Sequence, residues 1–338
     1  MTYSFFVGID IAAQSATVAW QQPTTGIVGQ LTIEQTSVAF EQLRRRLAAL
    51  DAPQRTLVVL EATSTYWMAL ALHLYQAGFI VSVINPARAH YFARMQLQRT
   101  KTDACDAHWL AEFARSVIPE PWNPPPAVCH QLEQRLAQRQ DFLHIQTQER
   151  NRWHALTHNP DLDPAVAERT QRHLAYLAQE IAALDQEIQT LLLGKHEWSA
   201  AVRYLLTIPG IGIIVAAWIL VATHNFARCD NPEEAASFAG LAPHAQDSGM
   251  SKRGKRSVGG GGHATLRQML YMAALSATRY NPPVQQFYDH LLEQGKCKKV
   301  ARCAAARKLL CIAWAVVVNE RDFDPNYRSV PQSQPITA

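Results

Sequence analysis

Four acidic residues near the start of the sequence are the first candidates for chemistry. Asp10 ends a short apolar run, and Glu61 directly follows the apolar run Leu57 to Leu60. Asp103 and Asp106 are three residues apart in a segment with helical periodicity, so they share one face of a predicted helix. Two strand ends and one helix face can bring these four carboxylates into a single site.

Four carboxylates that converge repel one another by roughly 4 kcal/mol per pair at about 4 Å, unless cations lie among them. Hard divalent ions with oxygen ligands meet this need, so Mg²⁺ is the expected ion and Mn²⁺ the alternative. Two such ions about 3.5–4 Å apart serve phosphodiester cleavage. Each acid alone has a simpler explanation as a strand end or helix cap, so the prediction depends on the whole set.

A serine in a basic segment is the second candidate. Ser248 precedes Gly249 within the segment Gly240 to Arg256, which has the composition of a loop. A serine that attacks DNA needs exposure, backbone freedom and nearby cations, and this segment offers all three. Ser251 and Ser257 are weaker candidates. The alternative is a flexible basic loop that only contacts the nucleic-acid backbone.

The charge distribution indicates a polyanionic partner. The whole chain has a net charge of +4, but Ala242 to Lys308 contains twelve Lys and Arg against three acidic residues. Surface lysines that serve solubility are the alternative. The candidate nucleic-acid contacts are Gly210, Gly212, Lys252, Arg253, Lys255, Arg256, Arg267, Lys298 and Lys299.

Two glycine-containing segments have separate predicted roles. Pro209-Gly-Ile-Gly212 lies between two helical patterns and resembles a helix-hairpin-helix turn, whose glycine N–H groups can approach a phosphate. A tight interhelical turn without a ligand is the alternative. Gly259 to Gly262 is predicted to be a flexible connector, and the sequence has no Walker pattern for nucleotide binding.

The elements that must position the acids follow from periodicity. The pattern predicts three strands, then alternating helices and strands, and a further helix that carries the acid pair. The predicted strands are Phe5 to Ile11, Ala16 to Trp20, Ile27 to Ile33, Leu57 to Leu60 and Phe79 to Ile84, and the predicted helices are Val38 to Leu50, Tyr66 to Ala77 and Asp103 to Val117. This order is typical of a mixed α/β sheet.

The second part of the chain is predicted to be all-α. A proline cluster from Pro119 to Pro126 ends the first domain, and Leu132 to Leu193 has the pattern of two long helices. They form either a coiled coil for self-association or a hairpin packed on its own domain. Further helices are predicted at His263 to Ser276 and Lys296 to Val318.

These patterns predict an α/β domain at 1–128, a helical coiled-coil spacer at 129–198, a mainly helical domain at 199–328 and a flexible tail at 329–338. No apolar run reaches the roughly 18 residues of a membrane span, and the N-terminus lacks the features of a secretory signal. The six cysteines have no Cys-x-x-Cys spacing, so we expect reduced thiols and a cytoplasmic protein without membrane contact.

A set of motifs in fixed order carries a family resemblance. They are Val7-Gly-Ile-Asp10, Glu61-Ala-Thr-x-Thr-Tyr66, Val83-Ile-Asn-Pro86, Lys101-Thr-Asp-Ala-Cys-Asp-Ala107, Ile208-Pro-Gly-Ile-Gly212, Phe238-Ala-Gly-Leu-Ala-Pro243, Ser248-Gly249 and Leu266-Arg267 through Leu270-Tyr271. The chain resembles the insertion-sequence 110 family of transposases, which are DEDD recombinases guided by a bridge RNA. The resemblance covers nearly the whole chain.

The resemblance implies a RuvC-like domain of the ribonuclease H-like fold that holds Mg²⁺ with Asp10, Glu61, Asp103 and Asp106. It also implies a coiled-coil spacer and a transposase domain whose Ser248 joins covalently to DNA. In this family the acidic site of one subunit meets the serine of another, so a homodimer or homotetramer is implied. The implied partners are donor DNA, target DNA and an element-encoded bridge RNA, in a bacterial cytoplasm and on the nucleoid when active.

Two positions depart from the family pattern. Ser64 stands where the family usually has glycine, and Val258 to Gly262 replaces a Ser-Lys-x-Gly stretch. The first departure could shift the turn beside Glu61, and the second removes a possible phosphate contact.

Three other functions fit parts of the sequence. A junction resolvase or other two-metal nuclease would use the quartet without a serine, and the basic Ser248 segment argues against it. An actin-like ATPase would need glycine-rich phosphate loops, which the sequence lacks. A catalytically inactive nucleic-acid-binding protein would not require the acids and the serine to be intact.

Overall fold

In the computed structural model, the chain is described for residues 3–25, 27–95, 103–244, 247–248, 252–253, 257–258 and 261–326. Side chains are described in these ranges except at residues 27, 103–104, 243–244, 247–248, 252–253 and 257–258. The chain divides into two compact units, the first ending at Pro124 and the second beginning at Pro125.

The first unit contains a five-stranded mixed sheet with helices on both faces. Its elements are β1 (Phe5–Ile11), β2 (Ser15–Gln22), β3 (Ile27–Glu34), α1 (Ser37–Leu50), a 3-10 turn (Pro53–Arg55), β4 (Thr56–Glu61), α2 (Trp67–Gln76), β5 (Ile80–Ile84), α3 (Pro86–Met95) and α4 (Asp103–Val117). The strand order is β3-β2-β1-β4-β5. β1 pairs antiparallel with β2 and parallel with β4, and β5 continues the parallel part.

Alternation along β1 explains why this strand is central. Phe5, Val7 and Ile9 face one side, where they pack with residues of α1 and α2. Phe6 faces the other side, where the core includes residues of α3 and α4. Because both faces are covered, nearly every residue of β1 and β4 is buried, as the continuous apolar runs predict. The predicted α/β character and its five strands are confirmed, whereas α3 was not predicted.

The second unit is mainly helical in the residues that the structure describes. Its helices are α5 (Ala127–Leu156), α6 (Pro164–Leu193), α7 (Ser199–Leu206), α8 (Ile213–Thr223), α9 (Pro232–Phe238), α10 (Ala264–Tyr280), α11 (Pro282–Glu293) and α12 (Lys298–Val318). Between α9 and α10 lie four two-residue strands, β6 (Pro243–His244), β7 (Asp247–Ser248), β8 (Lys252–Arg253) and β9 (Ser257–Val258).

The two long helices α5 and α6 form an antiparallel hairpin. Arg135 bonds Glu187 at 2.9 Å, and Arg139, one turn later, pairs with Asp185, so α6 runs back along α5. At the base of the hairpin, Leu132 of α5 joins the core of the second unit. The structure therefore has the hairpin arrangement at this end, and a role in self-association stays a prediction.

Candidate active site

Asp10 and Glu61 lie side by side at the carboxyl edge of the sheet. The parallel register pairs Ile9 with Leu60, so the next residues, Asp10 and Glu61, are neighbours on strands about 4.8 Å apart. By strand alternation they face the same side as Gly8, which is the side covered by α4. Both residues are half-buried.

Gly8 allows α4 to approach the sheet closely. A Cβ atom at Gly8 would lie 2.2 Å from the carbonyl oxygen of Ala107 and 2.2 Å from the amide nitrogen of Ala111. No side chain fits in this space, so α4 crosses β1 with backbone against backbone. The glycine in the Val7-Gly-Ile-Asp10 motif is therefore required by packing.

The direction of α4 brings its first turn to the acidic edge. Glu112, farther along α4, accepts a hydrogen bond of 3.0 Å from Gln21, which pairs with Phe6 on β1. Because Ala107 lies over Gly8 and Glu112 lies toward Phe6, α4 runs opposite to β1. Its start, with Asp103 and Asp106, consequently points toward Asp10.

The lengths of the two elements agree with this placement. Asp103 is four residues before Ala107, a helical rise of about 6 Å, and Asp10 is two residues beyond Gly8, about 6.6 Å of strand. Asp106 is half-buried, and the side chain of Asp103 lies outside the described residues. Among the side chains described, no group of three or more His, Cys, Asp and Glu could hold a metal ion. The complete quartet stays a prediction.

The turn after β4 orients Glu61. The hydroxyl of Thr63 donates to Oε1 of Glu61 at 2.9 Å, and the indole of Trp67 donates to the carbonyl of Ser64 at 3.1 Å. Ser64 has a φ of 54°, in the left-handed region where glycine is favoured. A glycine would adopt this conformation without strain, and whether Ser64 shifts the turn relative to the family pattern stays a prediction.

The donor atoms of the predicted ligands are of the kind that a hard divalent cation prefers. The donors that Asp10, Glu61 and Asp106 can offer are all carboxylate oxygens, which Mg²⁺ and Mn²⁺ accept.

The predicted serine loop contains paired strands. Pro243 pairs with Val258 in β6 and β9, and Ser248 pairs with Lys252 in β7 and β8. The loop expected from composition therefore has hairpin-like pairing. Ser257 begins β9, but the side chains of Ser248, Lys252, Arg253 and Ser257 are not described, and Ser251, Lys255 and Arg256 lie outside the described residues.

The two chain segments that enter and leave this loop meet at a tight junction, which we call the neck (Ala239–Gly240 and Gly261–His263). Gly240 has a φ of 68° and Gly262 a φ of 80°. A Cβ atom on Gly240 would lie 2.3 Å from the oxygen of Gly261, and one on Gly262 would lie 2.5 Å from the nitrogen of Gly240. At Gly262 close packing and a positive φ both require glycine, and the flexibility predicted for Gly259 to Gly262 stays a prediction.

Arg267 joins the two sides of the neck. Its Nη1 donates to the carbonyl of Gly261 at 2.8 Å and to that of Ala239 at 3.4 Å. The sequence predicted Arg267 as a nucleic-acid contact, and the structure adds a role in the neck that the sequence did not indicate. Gly240 and Gly262 were the only features of the sequence that could have indicated the neck.

His263 fixes the end of the neck to α10. Its backbone N–H donates to the carbonyl of Phe238 at 2.8 Å, and its Nδ1 accepts from the N–H of Leu266 at 3.1 Å. Burial lowers the pKa of His263 and so favours the neutral ring that this cap requires. The cap and the Arg267 bonds together fix where the loop starts and ends.

The remaining predicted contacts differ in their surroundings. Gly210 has a φ of 102°, and a Cβ there would lie 2.7 Å from Cβ of Ala277, so this glycine serves the packing of α10. At Gly212 the space is open. Lys298 and Lys299 are exposed at the start of α12. Burial raises the pKa of Cys303, and the nearby charges of Lys299 and Arg267 partly oppose this rise. Phosphate binding by these residues stays a prediction.

The similarity to known proteins covers both units. Residues 7–158 match a DEDD transposase family profile, and residues 202–289 match the profile described as "Transposase IS116/IS110/IS902 family". The pilin gene-inverting protein of Moraxella bovis is 32% identical over 94% of this chain and 97% of its own length. The chain belongs to the IS110 family of transposases.

Other members of the family match in part. The protein named for insertion element IS900 of Mycobacterium paratuberculosis is 31% identical over 45% of this chain and 39% of its own length. As a member of a transposase family, the chain is an enzyme that cleaves and rejoins DNA. Across the described residues, no helix has both the length and the apolar character needed to span a membrane.

Proposed function

We propose that this IS110-family transposase is an RNA-guided, Mg²⁺-dependent recombinase that joins Ser248 covalently to DNA during strand exchange. The proposal is carried by the adjacent positions of Asp10 and Glu61 at the carboxyl edge, on the sheet face over which α4 runs opposite to β1. The strand order with a central β1 supports a RuvC-like, ribonuclease H-like assignment for the first unit.

Asp10, Glu61, Asp103 and Asp106 would hold the metal in this proposal. When bound, Mg²⁺ supplies charge neutralisation of the phosphate and of the leaving oxygen. The protein's own contribution is positional: the β1–β4 register sets the separation of two carboxylates, and Gly8 sets the height of α4 above them. Thr63 holds one oxygen of Glu61 so that the other can bind.

The serine step forms one bond and breaks one bond. The oxygen of Ser248 bonds to phosphorus, the bond from phosphorus to the bridging oxygen of the DNA breaks, and that oxygen gains a proton while the serine proton passes to solvent. Attack of a DNA hydroxyl on the phosphoserine bond then rejoins the strand and restores the serine. Cations near the serine, from Lys252 to Arg256, stabilise the phosphate oxygens.

We further infer that the active form is a homodimer or homotetramer, in which the acidic edge of one subunit acts with the serine of another. The family resemblance supports this arrangement and the use of a bridge RNA that pairs with donor and target DNA. The names of the Moraxella relatives support a reaction that rearranges DNA between two sites.

A denaturing-gel assay tests the proposal. Purified protein is incubated with Mg²⁺, element-flanking RNA and end-labelled donor and target DNA. We expect a protein–DNA adduct that is lost in Ser248→Ala and retained in the matched Ser257→Ala variant. Nicked DNA without an adduct, unaffected by Ser248→Ala, would replace the proposal with a two-metal nuclease of the resolvase type. Full activity without RNA would contradict the proposal that an RNA guides the reaction.

A further inference from the structure

Helix α3 lies beside the carboxylates at the same edge of the sheet. Glu61 pairs with Ile84 at the end of β5, and α3 begins two residues later, at Pro86. Phe92 of α3 packs edge-to-face on Phe113 of α4 with ring centroids 5.1 Å apart. Phe92 also belongs to the core on the face toward which Asp10 and Glu61 point. α3 therefore starts at the acidic edge and covers the same sheet face as α4.

The outer surface of α3 exposes large aromatic and apolar side chains, which are uncommon on a helix face that contacts only water. Tyr91 is 67% exposed and Met95 is 69% exposed, four residues apart on one face of the helix. The ring of His90 lies 5.7 Å from that of Tyr91. An exposed aromatic ring with a neighbouring aromatic and a flexible thioether is a surface on which an unpaired base can stack.

The same helix is basic and has no acidic counterpart. Arg88 and Arg94 are exposed, and neither forms an ion pair with a carboxylate in the part of the chain that the structure describes. The sequence has no Asp or Glu between Glu61 and Asp103, although Arg99 and Lys101 also fall in this interval. The proposed metal ligands Glu61 and Asp103 thus flank a segment whose charged residues are all basic. Such a segment can attract a nucleic-acid strand whose phosphates approach the carboxylates.

We propose that the exposed face of α3, formed by Arg88, Tyr91, Arg94 and Met95, binds an unpaired DNA strand next to the phosphodiester that enters the acidic edge. Arg88 and Arg94 contact phosphates, and Tyr91 stacks on a base. Arg88 is fixed for this role by its guanidinium, which lies 5.7 Å over the Phe113 ring. The inference rests on the proposed function, because it takes the acidic edge as the site of cleavage.

Photocrosslinking of the full-length protein tests which nucleic acid contacts α3. Tyr91 is replaced by p-benzoylphenylalanine, and the protein is irradiated in EDTA with a labelled single-stranded DNA or RNA of about 20 nucleotides, a length that exceeds a typical single-strand site. The matched control carries the same replacement at Tyr176, which is 54% exposed on α6. We expect a DNA crosslink from position 91 that is much stronger than from position 176. A crosslink to RNA alone, to a second protein chain alone, or equal at both positions would overturn the inference.

Binding measured by fluorescence anisotropy gives the energetic test. Tyr91→Ala should weaken binding of the single-stranded DNA by about tenfold, the loss of one stacked base. Arg88→Gln with Arg94→Gln should reduce the slope of log affinity against log salt by about 1.4, since each single-strand phosphate contact contributes about 0.7. Arg169→Gln with Arg172→Gln, at two exposed positions on α6, is the control that removes the same charge. Unchanged affinity and slope in the α3 variants would contradict the inference.

These measurements are made without divalent metal, so they do not depend on turnover. If Asp10→Asn abolishes cleavage while α3 neither crosslinks to DNA nor affects its binding, the proposed function stands and this inference fails. If α3 binds DNA but Asp10→Asn cleaves normally, the strand-binding face stands and the catalytic assignment fails.

Discussion

The acidic edge and the neck position their candidate catalytic residues by different means. Asp10 and Glu61 extend directly from two paired strands that are buried on both faces, so their separation follows from the register of the sheet. The neck instead depends on two glycines at positive φ and on the hydrogen bonds of Arg267. The first arrangement is rigid because the core supports it, whereas the second can be loosened by a single substitution without loss of the core.

The largest effect is expected where the acidic edge depends on close packing. Gly8→Ala places a methyl group 2.2 Å from backbone atoms of α4, which cannot give way as a side chain could. We expect α4 to be displaced, the free energy of unfolding to fall by about 3 kcal/mol and cleavage to be lost. Urea denaturation and the cleavage assay measure these changes.

Gly212→Ala is the matched control for Gly8→Ala, because among the described residues no atom outside its chain neighbours lies within 4 Å of the added methyl group. Its free energy of unfolding should stay close to that of the wild type. Normal stability and cleavage in Gly8→Ala would contradict the rigid positioning of the acidic edge.

Arg267→Ala tests the neck. Removal of the guanidinium frees the carbonyls of Ala239 and Gly261, and the loop that carries Ser248 loses its fixed base. We expect adduct formation to slow by about 10- to 100-fold, since a misplacement of about 1 Å can have this effect, with little change in thermal unfolding.

Added guanidinium ion should partly restore the rate of Arg267→Ala and leave the wild type unchanged. The rate of Arg267→Lys should lie between those of the wild type and Arg267→Ala, because one ammonium group cannot reproduce the planar guanidinium. A normal rate in Arg267→Ala, with intact DNA binding, would show that the neck does not position the serine.

Glu112 connects α4 to β2 through Gln21, and its ionisation gives the stability of this contact a pH dependence. The hydrogen bond from Arg115 lowers the pKa of Glu112 to about 2, with burial opposing and Gln21 and Ser116 adding to the effect. Because the folded pKa lies below the unfolded one, the contribution is present at neutral pH and is lost as pH falls from the unfolded value of 4.5 toward 2.

Glu112→Gln should therefore lower the free energy of unfolding by about 1 kcal/mol at pH 7 and by less at pH 3. The measurement is urea denaturation at both pH values. An equal loss at the two pH values would show that ionisation of Glu112 does not hold α4 in place.

The smallest effect is expected at Ser64, in the turn beside Glu61. Ser64→Gly removes the strain of a φ of 54° but adds freedom to the unfolded chain, so the two terms partly offset. We expect the free energy of unfolding to rise by less than about 1 kcal/mol, with unchanged cleavage. A decrease in stability would show that the serine side chain contributes more than its backbone strain costs.

The difference between the two regions also decides what the sequence could predict. Alternation and apolar runs predicted all five strands, and with them the placement of Asp10 and Glu61, because these patterns follow from burial on a sheet. The boundaries of α4 were predicted as well. The close approach at Gly8 was not, because a glycine inside an apolar strand does not identify the element that covers it.

The neck could not be predicted for a related reason. Gly240 and Gly262 are 22 residues apart in sequence, and their contact forms only in the folded unit. Arg267 was assigned to nucleic acid because its charge was visible in the sequence, whereas its backbone partners were not. Helix α3 was missed because the Asn85-Pro86 pair was interpreted as the end of β5, whereas Pro86 is the first residue of the helix.

Titration of the full-length protein with Mn²⁺ tests the central claim, that the carboxyl edge of the sheet is the metal-binding catalytic centre. Binding is followed by electron paramagnetic resonance for the wild type, Asp10→Asn and Glu34→Gln. Glu34 is an exposed acid at the end of β3, two strands from Asp10 at the same edge, so its variant removes the same charge. We expect Asp10→Asn to lose high-affinity Mn²⁺ binding together with cleavage, and Glu34→Gln to keep both. Wild-type binding and cleavage in Asp10→Asn would contradict the claim.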